Sequence, residues 1–260
     1  MQNLDFSPPN NPILTVITVA AYETSRLEKT CLSLVDANCR IEHLFVFPEM
    51  DDKTNIYLQN YGKLTSFGVT LVRDQGKGIY SAMNIGLKAA SGRFVLFLNA
   101  GDQIADISQF TENVEDVASS AALWGILGCS LPWNEKYITY LGMEQDFLRQ
   151  KIGGYVSHQS VVVDRSFLIS LGGFNTAFKI AADSSLTMQL ANITPPKLFP
   201  GIAIKVESGR TVTASNRRSR FETLIAIMIQ RNTVDKLIAL LNFSRKEWGF
   251  LSNKFRRDLV

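Results

Sequence analysis

Asp102 stands where a carboxylate could bind a ligand or a metal ion. It ends the polar run 99–102, which directly follows the apolar residues 94–98. A carboxylate just past the end of a buried strand is where α/β proteins place ligand and metal chemistry. A glycine-containing turn precedes it at residues 76–78. As an alternative, Asp102 could cap the helix that follows it.

The elements that would position this segment alternate between strand and helix. Apolar and β-branched runs predict buried strands at residues 13–20, 41–47, 69–73 and 94–98, with helices at residues 25–37, 53–61 and 80–90. This alternation predicts an α/β fold, Rossmann-like, with an open and mostly parallel sheet covered by helices on both faces.

The regular alternation of predicted strands and helices ends after Asp102. Strands are predicted at residues 123–130, 137–141 and 161–163, and helices at residues 103–119, 147–151, 166–171 and 182–190. This second half is typical of an α+β elaboration. From residue 220 the chain predicts an amphipathic helical segment, which suggests a main domain over residues 1–215 and a tail over residues 216–260.

Composition and charge limit the classes of partner. The chain has 260 residues, 46% of them hydrophobic, with no signal-like start and no run near the ~18 apolar residues of a spanning helix. We therefore expect a cytoplasmic protein, at most peripheral to the inner face of the plasma membrane. Residues 217–260 carry ten Lys/Arg and four Asp/Glu, a net charge of +6 within a total of +3. Such a tail suggests an anionic surface; no nucleic-acid motif accompanies it.

Two segments resemble the bacterial family-2 glycosyltransferases of the GT-A fold. Residues 78–84 read GIYSAMN and residues 97–102 read FLNAGD, similar to the GIYDAMN and FLNSGD segments of the branch related to colanic acid biosynthesis. The resemblance covers residues 13–102 well and residues 154–190 moderately. It implies an inverting transfer from a nucleotide-sugar donor to a lipid-linked or oligosaccharide acceptor in bacterial surface polysaccharide synthesis.

The resemblance assigns roles to four polar side chains. Asp102 is the one acid kept at the family's acidic strand end, which implies a divalent metal, Mn²⁺ or Mg²⁺, that neutralises the departing diphosphate. Asp183, in the segment IAAD at residues 180–183, takes the place of the catalytic general base. His158 and Gln159 match the family's HQS and point to the metal or to an acceptor phosphate. A helix cap for Asp183, or a core role for His158, is the structural alternative.

Donor-binding positions are implied mainly in the first half. The nucleotide-binding residues that the resemblance suggests are Val19, Ala21, Glu23, Arg73, Gly78, Asn84, Asn99 and Ala100. Phe47 takes the place of the family's uracil-reading Asp. The resemblance therefore does not indicate which base the donor nucleotide contains. Arg73 would offer a cation to the diphosphate, and a solvated surface role is its alternative.

Other interpretations stay open. Acids of the family are missing at Phe47, Asn99 and Gly101, so a non-catalytic GT-A-like module that binds a glycan or a partner is the main alternative. A nucleotidyltransferase is disfavoured because the first turn, residues 20–24, lacks a glycine-rich basic motif. The tail could equally pack on the domain or pair two subunits. His43, within an apolar strand, is expected to be a core residue.

Overall fold

The protein is described by a computed structural model. It describes residues 11–20, 24–48, 52–131, 136–138, 156–207 and 217–230, together with residues 236, 240 and 243. The predicted helix at residues 147–151, and the end of the predicted strand at 137–141, lie outside the described residues.

The first half forms the parallel part of the sheet. Its strands are β1 (Leu14–Val19), β2 (Ile41–Phe47), β3 (Gly68–Arg73) and β4 (Phe94–Phe97), and its helices are α1 (Thr24–Leu34), α2 (Asp52–Leu64) and α3 (Ile79–Ala89). The strand order is β3-β2-β1-β4, and all three pairings are parallel. The prediction of this half is confirmed, because continuous apolar runs suit strands that are covered on both faces.

The second half extends the same sheet with mostly antiparallel pairs. It contains β5 (Gln103–Ile104), α4 (Ile107–Ser119), β6 (Trp124–Leu131), β7 (Lys136–Ile138), β8 (Val161–Asp164), α5 (Arg165–Ser170), α6 (Ala182–Ile193), β9 (Lys197–Lys205) and α7 (Arg217–Gln230). The order continues from β4 as β8-β6-β9-β5, and β7 pairs with β6. The sheet is therefore mixed. The sequence pattern predicts neither β5 nor β9; β9 is interrupted by Pro200 and Gly201, which obscure its pattern.

Close packing of α3 on the sheet brings its start to the carboxyl edge. A Cβ added at Gly86 would lie 2.6 Å from Ile17 Cγ2 and 3.0 Å from Val46 Cγ2. Only a glycine permits this approach between helix and strands. Helix α3 consequently lies directly on β1 and β2.

The first described helix of the tail packs on the domain. Helix α7 contacts α6 and buries Ser219, Glu222 and Ala226. This is the packing arrangement that the sequence left open for the tail. Among the described residues, no helix combines the length and the apolar composition that a membrane crossing requires.

Candidate active site

Asp183 lies in the first turn of α6 and does not cap that helix. The cap position belongs to Ala181, which makes no side-chain cap bond. The Asp183 Oδ2 atom lies 3.2 Å from His158 Nδ1. Its Oδ1 atom accepts from the Ser184 N–H at 2.8 Å and from the Tyr80 hydroxyl at 3.3 Å. The carboxylate is thus oriented by three donors and still keeps 25% of its side chain exposed.

The surroundings of Asp183 favour its ionised form. Burial is the largest single influence on the pKa of Asp183 and raises it, and the hydrogen bond from His158 is the first of several that lower it. The Ser184 N–H and the Tyr80 hydroxyl act in the same direction, and the net pKa lies below its ordinary value. The start of a helix also favours a negative charge. Asp183 is therefore a carboxylate, able to accept a proton, at neutral pH.

His158 links Asp183 to the end of β4. It opens a 3₁₀ turn, His158–Ser160, that leads into β8. Its Nε2 atom lies 3.1 Å from Asn99 Nδ2, and its Nδ1 atom faces Asp183. With the Asn99 amide group donating, Nε2 is the acceptor and Nδ1 carries the proton directed at Asp183. A chain Asn99–His158–Asp183 thus joins two of the predicted site segments.

Asp102 is buried at the same edge of the sheet. It is 3% exposed; its Oδ1 accepts from the Glu207 N–H at 2.8 Å and its Oδ2 from Gln159 Nε2 at 3.0 Å. The N-cap of α4 is Asp106, which accepts from the Gln109 N–H at 3.0 Å. The cap alternative for Asp102 is therefore wrong. Burial raises the pKa of Asp102, and the hydrogen bonds from Glu207 and Gln159 offset only part of that rise.

The loop that carries Asp102 is held from α1 and from the end of β9. Thr30 Oγ1 donates to the Asp102 carbonyl at 2.7 Å and accepts from the Gly101 N–H at 2.9 Å. Gly101 has φ 102°, a value that favours glycine. Glu207 lies over this glycine and forms ion pairs with Arg26 and Lys29, each at 2.7 Å. These contacts fix the direction of the Asp102 carboxylate.

A divalent ion at Asp102 would need ligands from a bound phosphate. No three His, Cys, Asp or Glu side chains form a metal-binding group in the part of the chain that the structure describes. Each Asp102 oxygen accepts one hydrogen bond from the protein and keeps further lone-pair capacity. Mg²⁺ is commonly held by one or two carboxylates plus substrate phosphates. The donor set therefore fits an ion that arrives with a diphosphate.

Five of the eight positions predicted to bind a nucleotide lie at one edge of the sheet. Val19 and Arg73 end β1 and β3, Gly78 precedes α3, and Asn99 and Ala100 follow β4, so all five line the carboxyl edge. Arg73 is exposed. Gly78 has φ 104° with open space beside its Cα, as a turn that admits a ligand requires. Ala21 and Glu23 lie outside the described residues.

Asn84 makes a different contact from the predicted one. Its Nδ2 donates to the Phe174 carbonyl at 2.8 Å, and its Oδ1 accepts from the Phe174 N–H at 2.8 Å. The amide thereby holds the turn Gly172–Gly173 against α3, and Phe174 stacks on Tyr80 at 5.7 Å between ring centroids. The nucleotide contact of Asn84 stays a prediction.

Several residues of the site were missed in the sequence. Tyr80 lies inside the GIYSAMN segment, so that motif was the available signal for it. Glu222 is the sole acid between Glu207 and Asp235 in a basic stretch, a charge pattern that could have drawn attention. Thr30 and Glu207 had no local signal, because their roles depend on contacts with residues 72 and 105 positions away.

Sequence comparisons match this chain to glycosyltransferases. The sequence profile described as Glycosyl transferase family 2 matches residues 15–168. An uncharacterized glycosyltransferase of Mycobacterium tuberculosis is 27% identical over 192 residues, 71% of each chain. A PGL/p-HBAD biosynthesis glycosyltransferase of Mycobacterium bovis is 24% identical over 191 residues, 68% of this chain and 67% of that one. The minor teichoic acid biosynthesis protein GgaB of Bacillus subtilis is 28% identical over 104 residues, 40% of this chain and 11% of that one.

Solved structures share the fold. Staphylococcus aureus TarS in complex with UDP superposes with a TM-score of 0.64 at 15% identity, covering 91% of this chain and 72% of that one. The mannosyltransferase PcManGT of Pyrobaculum calidifontis, in complex with GDP-Man and Mn²⁺, gives 0.62 at 17% identity, covering 91% and 71%. From the sequence profile, which covers more than half of the chain, and the shared GT-A architecture, we conclude that this chain belongs to glycosyl transferase family 2 and is a glycosyltransferase.

Proposed function

We propose that the protein is an inverting glycosyltransferase that uses Asp183 as its general base. The observation that carries this proposal is the Asp183–His158 pair, 3.2 Å apart at the carboxyl edge of the sheet. The pair holds an ionised, partly exposed carboxylate close to the strand end where a donor would bind. In this arrangement the base is linked through His158 to Asn99, at the strand end where a donor would bind.

The transfer step follows from this arrangement. The acceptor hydroxyl gives its proton to an Asp183 oxygen while its own oxygen bonds to the anomeric carbon of the donor sugar. The bond between that carbon and the phosphate oxygen breaks, and the nucleoside diphosphate leaves from the opposite face. One substitution at the anomeric carbon inverts its configuration. His158 and Tyr80 orient the carboxylate throughout.

We further propose a divalent metal, Mn²⁺ or Mg²⁺, as cofactor at Asp102. When bound, such an ion would neutralise the charge that develops on the leaving diphosphate. Gln159 and the Glu207 N–H hold the Asp102 carboxylate in place at the carboxyl edge of the sheet. PcManGT, which shares the fold, is in complex with both GDP-Man and Mn²⁺, and this supports the proposal by analogy.

The substrates are proposed from the relatives and from the sequence. Relatives named for teichoic acid and PGL/p-HBAD biosynthesis support a role in making a cell-surface glycan. We propose a nucleotide-sugar donor and a lipid-linked or oligosaccharide acceptor. The narrower resemblance to the colanic acid branch rests on residues 78–84 and 97–102 and stays a prediction.

The outward face of α7 supports attachment to an anionic membrane. Phe221, Met228 and Ile229 are 52%, 40% and 59% exposed, and basic residues lie at the start of the same helix. A helix that exposes both apolar and basic side chains can rest on anionic headgroups. Co-sedimentation with phosphatidylglycerol vesicles at low salt, lost at high salt or with phosphatidylcholine, is expected. If the full chain does not bind these vesicles at low salt, this attachment is wrong.

A donor screen tests the proposed function directly. UDP-, GDP- and dTDP-sugars are compared for thermal stabilisation of the protein, with and without Mn²⁺. The donor that binds is then used with octyl glycosides as acceptors, and the anomeric configuration of the product is read by NMR. Stabilisation by one donor class and an inverted product are expected. A retained configuration would overturn the inverting mechanism.

A further inference from the structure

A carboxylate of the tail helix α7 is bound by the backbone of the catalytic segment. Glu222 is 7% exposed. Its Oε2 atom accepts from three consecutive backbone N–H groups, those of Lys179, Ile180 and Ala181, at 2.9, 2.7 and 3.3 Å. Its Oε1 atom accepts from Arg218 Nε at 2.9 Å. One side chain from the tail thus satisfies three donors of a segment 41 to 43 residues away.

The same segment leads directly into the turn that carries Asp183. The carbonyl of Ile180 accepts from the Tyr80 hydroxyl at 2.5 Å, and that hydroxyl also lies 3.3 Å from Asp183 Oδ1. The segment is therefore held on its N–H side by α7 and on its carbonyl side by α3. Because Asp183 is two residues beyond Ala181, the position of its carboxylate depends on both supports.

Three successive N–H groups point to one atom only when the backbone is concave, and an anion stabilises that shape. Burial raises the pKa of Glu222, but the hydrogen bond from Arg218 and those from the backbone N–H groups outweigh it, so the pKa is lowered. The anion is thus maintained at neutral pH. Without it, the N–H of the buried Ala181 would lose its partner, and the segment would relax.

We propose that Glu222 is a positioning residue for the catalytic base, so that the tail helix sets the geometry of proton removal from the acceptor. This inference rests on the proposed role of Asp183. It gives residues 217–230 a part in the reaction that is separate from membrane attachment. Misplacing a reacting group by about 1 Å can cost about 10²-fold in rate.

The test compares Glu222→Gln with Thr223→Val in the full-length protein. Thr223 is a matched control, because its hydroxyl bonds within α7, to the Ser219 carbonyl at 2.8 Å. Amide hydrogen exchange of residues 179–181 is followed by mass spectrometry. Turnover is measured as release of nucleoside diphosphate from the UDP-, GDP- or dTDP-sugar that binds, with an octyl glycoside acceptor.

In Glu222→Gln we expect faster exchange of residues 179–181 and about 10²-fold lower kcat, with unchanged donor Kd. The acid limb of its pH–kcat profile should move to higher pH, because the donors that lower the pKa of Asp183 are displaced. A purely structural loss would not move that limb. Glu222→Asp keeps the charge and should recover part of kcat, whereas Thr223→Val should match the wild type. If Glu222→Gln does not fold, Glu222→Asp carries the test, with intermediate effects expected.

Unchanged exchange would overturn the proposed contact, and faster exchange with normal kcat would overturn its role in positioning. The proposed function has a separate outcome. If Asp183→Asn turns over normally, Asp183 is not the base, whatever Glu222 does to the exchange of residues 179–181.

Discussion

Two acids at opposite edges of the parallel sheet, Glu42 and Asp183, differ in how much of each carboxylate the protein covers. At the amino edge, Glu42 is 2% exposed and accepts from Thr15 Oγ1, Thr70 Oγ1 and both the N–H and the hydroxyl of Ser91, at 2.7 to 2.9 Å. At the carboxyl edge, Asp183 is also held by donors but keeps a quarter of its side chain exposed. Protein groups cover the Glu42 carboxylate, whereas part of the Asp183 side chain remains accessible to a substrate.

His43 and His158 differ in exposure in the same way as Glu42 and Asp183. His43 is fully buried, with Thr18 Oγ1 at 2.9 Å and the Tyr61 hydroxyl at 3.0 Å from its ring nitrogens, and burial lowers its pKa to about 3. It is neutral and inert, as expected for a core residue. His158 is 19% exposed and faces Asp183. Both histidines have partners for their ring nitrogens, and His158 alone of the two keeps part of its side chain accessible.

Asp183→Asn should cause the largest loss of turnover among these substitutions. Asparagine keeps the shape and removes the proton acceptor, so kcat should fall by about 10²–10⁴-fold. Donor affinity should stay the same, because the lost group serves the acceptor. Steady-state kinetics and calorimetric donor titration on the folded variant check this. Near-normal turnover would rule out Asp183 as the base.

Asp102→Ala should weaken the Mn²⁺-dependent part of donor binding, by at least about 10-fold. No second acid occurs within residues 99–102 to replace it. Isothermal titration of the nucleoside diphosphate with Mn²⁺ and with EDTA measures the difference. Equal affinities for variant and wild type would leave Asp102 as a structural acid, like Glu42 at the other edge.

His158→Ala should change the pH dependence of turnover. Burial raises the pKa of Asp183, and His158 is the main group that lowers it. With the imidazole gone, the pKa of Asp183 rises, so the acid limb of the pH–kcat profile should move to higher pH. Turnover at neutral pH should fall less than in Asp183→Asn. An unmoved acid limb would show that His158 does not control the base.

Glu42→Gln should have the smallest effect on catalysis. An amide cannot accept all four hydrogen bonds, and the loss should lower the free energy of unfolding by about 1–3 kcal/mol. Turnover per folded molecule should be unchanged, because the amino edge lies away from the site. Denaturant unfolding and kcat are measured on the same sample. A large drop in kcat at normal stability would contradict the division between the edges.

Much of the fold follows from local pattern, but half of the site does not. The apolar pattern predicts the strands of the first half and the place of Asp102 after one of them, whereas Asp183 is identified through the family resemblance. The strand β9 was missed, since Pro200 and Gly201 interrupt it and its pairing with β6 shifts register. The residues that directly follow β9 nevertheless place the Glu207 N–H beside Asp102. Asn84 had the expected position and an unexpected partner, the Phe174 backbone.

By itself, the sequence determined the alternation of strands and helices, the polar ends of the strands and the family resemblance. These depend on periodicity and on residues close together in the chain. Only the tertiary structure decided which carboxylate is closed and which stays accessible, and that Glu222 supports the segment before Asp183. The physical reason is distance along the chain. The bonds to Asp102 span 57 and 105 residues and those of Glu222 about 42, and such contacts leave no local pattern to read.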